Sequence, residues 1–272
     1  MGRHEKTTHL IQTAYEILSA LHPMTVRQVY YQLVSRQVIE NNRSQYQAVS
    51  NALVDGRKEG VIPWEWMEDR LRKPRHVGMW DGLADFVEPV IAAYRRNVWG
   101  RQPHYLEVWL EKDALSGIFE RALEPYGVTL NVALGYDGGD SIHNAAQRFK
   151  GINQGTILYF GDFDPSGEDM VRSLRERLAF FGCEPAILKC ALTAADVTHY
   201  NLPPDFTKAT DTRRAAFVAK HGDVSVELDA LPSDVLSARL LTEVEGRMDR
   251  QALAEVKQTE ERERARLREL LS

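Results

Sequence analysis

The feature that most constrains the fold is an alternation of short apolar segments with amphipathic segments in the second part of the chain. The apolar segments are LEVWL, TLNVALGY, TILYF and PAILKCAL, and the segments between them have the 3.6-residue periodicity of helices. Strands that alternate with helices across short connections form a parallel sheet covered by helices. The sequence therefore predicts an α/β domain with a parallel sheet over residues 106–235.

The first 75 residues have a different pattern, with three short helical segments. HLIQTAYEILSALH places its apolar side chains on one helical stripe, and VRQVYYQLVSRQ follows Thr25, a favourable N-cap residue. QYQAVSNALVDGRKEG ends at Gly60, and VIPWEWME then has the composition of a short strand or wing. Three helices and a wing predict a winged helix-turn-helix over residues 1–75, which places a helix against duplex DNA. A plain small helical domain is the alternative that this pattern leaves open.

Two further segments complete the predicted organisation. Residues 76–105 have helical character and predict a bridge, and residues 236–272 predict a charged C-terminal helix that is solvated or packs on a partner. Residues 1–105 have a net charge of +3 and residues 106–272 a net charge of −8, which suggests different tasks for the two parts. An acidic part still serves DNA where its carboxylates bind metal ions.

Composition also predicts the cellular location of the protein. No run of 18 apolar residues is found, so no membrane span is expected, and the first ten residues lack the apolar stretch of a secretory signal. The two cysteines, Cys183 and Cys190, do not have the spacing of a zinc site. A reduced, cytoplasmic protein is the simplest expectation.

Carboxylates follow two of the predicted strands. Glu111 comes directly after LEVWL, and Asp162 and Asp164 come directly after TILYF. Ligands bind at the carboxyl ends of parallel strands, and residues two apart in extended backbone point the same way. Three hard oxygen ligands with little positive charge nearby suit Mg²⁺, with Mn²⁺ as the second candidate. The alternative is that the aspartates only cap the helix that begins near Pro165.

These residues resemble those of a known domain. LEVWLEKDALSGIFERAL, the GGD turn at 138–140 and ILYFGDFDPSGEDMV resemble the Toprim domain, which has a Rossmann-like sheet. The form they resemble is that of the topoisomerase VI A subunit and the related protein that makes meiotic double-strand breaks. Members have a strand-ending Glu followed by Lys, a Gly-Gly turn and an Asp-x-Asp-Pro-x-Gly segment. The resemblance implies that Glu111, Asp162 and Asp164 bind Mg²⁺ and support cleavage of a DNA backbone.

The same family has a winged helix with a nucleophilic tyrosine ahead of its Toprim domain. TVRQVYYQLV resembles that segment, and the resemblance makes Tyr31 the nucleophile and Arg27 the assisting arginine. Helix geometry places Tyr30 on the apolar stripe, whereas Tyr31 and Arg27 share another face, which is expected to be exposed. A tyrosine beside an arginine on an exposed face is also common in helices without any catalytic role.

Other charged residues give weaker signals. Glu227 and Asp229 alternate in VELDAL, which resembles the segment that follows the Toprim core in the A subunits. They lie either near the metal site, as second-shell residues or ligands of a second metal, or on the polar side of a strand. The basic residues predicted to contact DNA, with a solvated surface run as the alternative, are Arg70, Arg72, Lys73, Arg75 and Lys112.

The sequence and the resemblance together predict Mg²⁺-dependent DNA strand cleavage, in which Tyr31 attacks a phosphate and becomes covalently linked to the DNA. The alternatives are a hydrolytic Toprim endonuclease that uses water and a non-catalytic DNA-binding regulator. The resemblance implies a homodimer on double-stranded DNA, with nucleophile and metal meeting across subunits. The chain looks closest to compact stand-alone mini-A relatives. It has no ATP-binding motif, so strand passage would require a separate ATPase subunit.

Overall fold

The computed structural model describes residues 5–68, 77–132, 139–204 and 211–271. These residues form a mixed α/β fold with a four-stranded parallel sheet, as the alternation of segments predicted. The described helices are α1 Glu5–Leu21, α2 Val26–Ser35, α3 Arg43–Lys58, α4 Leu83–Ala93, α5 Ser116–Leu123, α6 Gly139–Phe149, α7 Pro165–Phe180, α8 Ala194–His199, α9 Arg214–His221, α10 Ser233–Glu245 and α11 Arg250–Leu271. None of them is both long enough and apolar enough to cross a bilayer.

The sheet contains β1 Tyr105–Leu110, β2 Thr129–Val132, β3 Gly155–Phe160 and β4 Ala186–Ala191, in the order β2-β1-β3-β4. Five of the six residues in β1 and in β3 are buried, because helices cover both faces of the central strands. The chain builds the sheet outward in opposite directions from the β1–β3 pair. This pair is therefore the topological switch point, where open α/β sheets place their ligands.

A buried carboxylate, Glu107, lies in the middle of β1 with no exposed surface. Its oxygens accept hydrogen bonds from the Tyr105 hydroxyl at 3.0 Å and the Trp109 indole at 2.9 Å. The Asn131 amide donates at 2.8 Å, and the Arg148 guanidinium donates through Nε at 2.6 Å and Nη2 at 3.0 Å. Glu107 thus joins β1, β2 and α6, and its buried charge is compensated by Arg148.

The N-terminal part contains the three expected helices. Thr25 begins α2 with a capping box, in which its hydroxyl accepts from the Gln28 amide and the Gln28 side chain accepts from the Thr25 amide. The expected strand over VIPWEWME is wrong, because Trp64–Trp66 forms a 3-10 turn after Pro63. The Trp66 ring stacks on His22, with 4.9 Å between ring centroids, which holds this turn against α1.

The predicted single C-terminal helix is in fact two helices, α10 and α11, and the first begins at Ser233 rather than at 236. In α10, Leu236, Leu240 and Val244 are buried, and the helix packs against α5. The longer α11 packs against α4, an α-helix within the predicted bridge. The charged tail therefore contacts its own chain along one side, while most of α11 faces solvent.

Candidate functional site

The ends of β1 and β3 bring Glu111 and Asp162 together. Leu110 pairs with Phe160 at the end of the two strands, so the chains leave the sheet at the same level. Glu111 Oε2 accepts a hydrogen bond from the backbone amide of Asp162 at 3.0 Å and another from the Tyr159 hydroxyl at 3.0 Å. The sequence predicted this proximity from strand topology alone.

Gly161 is required for this arrangement, and the sequence interpretation missed it. A Cβ atom added at residue 161 would lie 2.5 Å from Glu111 Oε2, and it would also clash with the Tyr159 hydroxyl. The signal was available, because a lone glycine between a buried strand and an acidic residue often marks a close approach to the backbone.

The pKa values of the Glu111 and Asp164 carboxyl groups are raised. Burial raises the pKa of Glu111, and the nearby charge of Asp162 raises it further. Burial also raises the pKa of Asp164, and the charge of Asp162 raises it further. The hydrogen bond from the Gly167 amide acts in the opposite direction and lowers this pKa. A cation bound between such groups would favour their ionised forms.

Asp164 also caps α7, as the alternative interpretation proposed. Its Oδ1 accepts from the Gly167 amide at 2.6 Å, and Pro165 occupies the first helical position. A side chain at residue 167 would collide with the Asp162 carbonyl, which explains the glycine there. Asp164 thus has a structural role whether or not it also binds a metal ion.

The two roles of Asp164 give a testable prediction. We expect Asp164→Ala to be about 1 kcal/mol less stable than Asp164→Asn, because asparagine caps a helix as well as aspartate does. Because the folded-state pKa of Asp164 is raised, ionisation of this carboxyl destabilises the fold as pH rises above its usual pKa of 3.8. Asp164→Asn should therefore be at least as stable as the natural chain at neutral pH.

Urea unfolding of the three proteins at acidic and neutral pH measures both effects. The advantage of Asp164→Asn over the natural chain should disappear at acidic pH, where the aspartate is protonated. An alanine variant as stable as the asparagine variant would contradict the capping role.

Lys112 lies among carboxylates rather than on an open surface. Its Nζ is 3.1 Å from Asp162 Oδ2, 3.0 Å from Glu227 Oε2 and 3.3 Å from Asp229 Oδ2. The expectation of little positive charge near the aspartates is therefore wrong, since Lys189 Nζ also donates to the Asp162 carbonyl at 3.1 Å. The Lys112 ammonium, which the sequence predicted to contact DNA, has three acidic partners in the structure.

Glu227 and Asp229 lie beside Asp162. Of the two locations that the sequence left open, this is the one near the predicted metal ligands. We call Glu227 and the 3-10 turn Leu228–Ala230 the acidic turn. The turn is anchored by paired backbone hydrogen bonds of 2.9 Å between Phe163 and Val226, and the Leu228 amide donates to Asp162 Oδ1 at 2.7 Å. These backbone contacts bring two carboxylates from a distant segment to the end of β3.

Tyr31 and Arg27 meet the same acidic turn. The Tyr31 hydroxyl donates to Glu227 Oε2 at 2.9 Å, and Arg27 Nη2 donates to the same oxygen. Arg27 Nε lies 3.3 Å from Asp229 Oδ2. The expected exposure of Tyr31 is wrong, because the acidic turn covers this face of α2 and leaves Tyr31 only 8% exposed. Tyr30 is buried in the core, as predicted.

Asp229 is a buried carboxylate whose charge is compensated within this cluster. Its side chain has no exposed surface, and neither carboxylate oxygen has a hydrogen-bond partner among the described residues. A buried carboxylate is stable only when charges nearby compensate it, and here ion pairs with Arg27 and Lys112 do so. Hard carboxylate oxygens are the ligands that Mg²⁺ prefers, so the donor chemistry fits this ion.

Some predicted residues cannot be placed in this site. The basic cluster Arg70, Arg72, Lys73 and Arg75 lies outside the described residues, as does Gly138 of the GGD turn. Over the ranges that the structure describes, no group of three or more His, Cys, Asp or Glu side chains has the arrangement of a metal site. Lys112 instead occupies the space between Asp162, Glu227 and Asp229.

Comparisons with known proteins add no assignment. No protein-family model matches the chain, and a search of curated proteins finds no relative. A function can therefore be inferred only from the residues, their resemblance to a known pattern and their geometry.

Proposed function

We propose that the protein cleaves DNA strands in a Mg²⁺-dependent reaction in which Tyr31 attacks a phosphate and forms a covalent tyrosyl–DNA link. One observation supports this more than any other. Glu227 Oε2 accepts from the Tyr31 hydroxyl at 2.9 Å and lies 3.0 Å from Lys112 Nζ, which in turn contacts Asp162. The tyrosine and the carboxylates were predicted from separate parts of the sequence, yet they belong to one connected cluster.

The side chains of the cluster suit a transesterification. A phenol with an ordinary pKa near ~10 is a weak nucleophile at neutral pH, and a carboxylate that accepts its hydrogen bond orients the attacking oxygen. Arg27 lies one helical turn from Tyr31, with its guanidinium carbon 5.7 Å from the ring centroid, where it can hold a phosphate. The Tyr31 oxygen–phosphorus bond forms as a phosphorus–oxygen bond of the strand breaks. The phenol gives up its proton to solvent, and the departing oxygen gains one from solvent.

Glu111 and Asp162, together with Asp164, are the residues that would hold Mg²⁺. When bound, this ion supplies stabilisation of the negative charge that develops on the phosphate. In the structure Lys112 Nζ lies within hydrogen-bonding distance of Asp162 Oδ2. Its positive charge therefore neutralises part of the same acidic cluster. Lys112 thereby keeps the carboxylates close together in spite of their mutual repulsion.

The resemblance to the topoisomerase VI A subunit supports this proposal and extends it to partners. It implies a homodimer on double-stranded DNA and a separate ATPase subunit for any strand passage. It also implies that nucleophile and metal meet across subunits, whereas here Tyr31 reaches the acidic turn of its own chain. We propose that a homodimer cuts two strands, one with each Tyr31.

A plasmid assay tests the proposal. Supercoiled plasmid is incubated with the protein and Mg²⁺ or Mn²⁺, and half of the reaction is then treated with protease before electrophoresis. We expect nicked or linear DNA that enters the gel only after protease treatment, because the protein remains bound to the DNA ends. DNA ends that enter the gel equally well without protease would contradict the covalent link.

A hydrolytic endonuclease is the second candidate, and the burial of Tyr31 favours it. A nucleophile that is only 8% exposed must be uncovered before it reaches a phosphate, whereas water needs no such movement. In that reaction the carboxylate cluster would act without the tyrosine, and the cut DNA would be free of protein.

A further inference from the structure

A pocket of about 400 Å³ opens between α2 and the beginning of α3. We call it the α2–α3 pocket, and its walls include Arg27, Arg43, Asn41 and the rings of Tyr30, Tyr31 and Tyr46. Its volume lies in the range of sites that bind a single small organic group. The pocket shares Tyr31 and Arg27 with the proposed cleavage site, so whatever it binds lies next to the attacking oxygen.

The aromatic wall of the pocket is rigid on one side and open on the other. Tyr30 is buried, and its hydroxyl donates to Asn41 Oδ1 at 2.9 Å and to the Asn42 carbonyl at 3.2 Å. Tyr46 packs against this fixed ring in a T-shaped pair with 5.2 Å between centroids, yet it remains 37% exposed. A partly exposed ring held by a buried neighbour is a platform on which a nucleobase can stack.

The charge of the pocket suits a phosphate. Arg43 begins α3 and is exposed, and it has no hydrogen bond or ion pair within the part of the chain that the structure describes. Arg27 lies in the pocket wall with 40% of its side chain exposed, although it also contacts the acidic turn. Two guanidinium groups in one wall attract a phosphate, and the asparagine amide offers polar contacts of the kind that bind the sugar–phosphate backbone.

We propose that the α2–α3 pocket binds one unstacked nucleotide of the DNA strand, adjacent to the phosphate that Tyr31 attacks. Its base lies against Tyr46 and its phosphate between Arg27 and Arg43. The inference rests on the proposed function, because Tyr31 relates the pocket to the cleaved bond. It also specifies the substrate class, since an unpaired nucleotide leaves the base stack at the lowest cost. DNA with a single-nucleotide bulge is therefore preferred over a perfect duplex.

Binding measured without cleavage tests the pocket. The whole protein, in EDTA, is titrated into fluorescently labelled perfect duplex and into the same duplex with one bulged nucleotide, and anisotropy gives each Kd. We expect Tyr46→Ala to weaken binding of the bulged duplex about tenfold, within the range measured for base–aromatic stacking, and to leave the perfect duplex unaffected. Tyr46→Phe, which keeps the ring, should retain the preference.

A second variant tests the phosphate contact separately. Arg43→Ala should weaken binding of both duplexes, because it removes one phosphate contact. The slope of log Kd against log salt concentration should decrease by about one. Thermal unfolding of each variant checks that the fold is intact. A free deoxynucleoside monophosphate should compete poorly, and displacement of the DNA at micromolar nucleotide would overturn the assignment of the pocket to a strand.

The outcomes separate this inference from the proposed function. If the natural protein and Tyr46→Ala bind the bulged duplex equally, the pocket has no role in binding DNA, whatever the plasmid assay shows. If the natural protein binds neither duplex, the proposed function itself fails. A tenfold loss in Tyr46→Ala with retention in Tyr46→Phe supports the pocket even in a protein that cuts by hydrolysis.

Discussion

Tyr31→Phe is expected to lose the covalent protein–DNA adduct completely while it continues to bind DNA. The substitution removes the hydroxyl that donates to Glu227, but it keeps the ring that packs at 5.2 Å against Tyr30. End-labelled DNA on a denaturing gel, with and without protease, measures the adduct, and anisotropy measures the retained binding.

A tyrosine outside the site provides a matched control. Tyr126→Phe also removes a hydroxyl that donates to a glutamate, Glu245, and it should form the adduct at a rate close to that of the natural chain. Asp162→Asn should abolish cleavage by either chemistry. If Tyr31→Phe still cuts DNA while Asp162→Asn does not, the hydrolytic endonuclease replaces our proposal. If all four proteins bind DNA and none cuts it, the protein is a regulator.

Glu107→Ala is expected to lower the free energy of unfolding by about 3 kcal/mol. The carboxylate is fully buried and accepts from the side chains of Tyr105, Trp109, Asn131 and Arg148. Truncation removes this acceptor from all four side chains, although Arg148 Nη2 keeps its hydrogen bond to Asn131 Oδ1 at 3.0 Å. The loss stays near the lower end for buried ion pairs, since Arg148 is 33% exposed and can turn toward water. Urea unfolding followed by circular dichroism measures the effect.

Glu107→Gln separates charge from hydrogen bonding. Glutamine has nearly the same shape and keeps one acceptor oxygen, so its destabilisation should be smaller than that of alanine. Equal stability of Glu107→Ala and the natural chain would show that the network does not support the sheet.

The sheet and the pairing of Glu111 with Asp162 could be predicted because both follow from local pattern. Apolar runs of strand length alternate with helical periodicity, and parallel strands end at the same edge. Asp164 as a helix cap also follows from its position before Pro165. In these cases the relevant residues are near one another in sequence or are related by the repeat of the sheet.

The features of the site that the sequence did not predict depend on contacts between distant segments. Tyr31 looked exposed on a helical wheel, but the acidic turn, almost 200 residues later, packs on that face. The partners of Lys112 could not be predicted either, because Asp162, Glu227 and Asp229 are all distant from it in sequence. The strand expected over VIPWEWME is absent for a local reason, since Pro63 and the packing of Trp66 on His22 favour a tight turn over an extended strand.

The shared oxygen of Glu227 has a consequence for truncated versions of the chain. Because it binds Tyr31 and Arg27 from the helical part and contacts Lys112 from the sheet part, dividing the protein near residue 105 separates both of its N-terminal donors from it. A sheet fragment would then retain the buried acids with Lys112 as their counter-charge, and a helical fragment would present Arg27 without its partners Glu227 and Asp229. The two halves are electrostatic complements, so neither fragment on its own reproduces the charge state of the intact site.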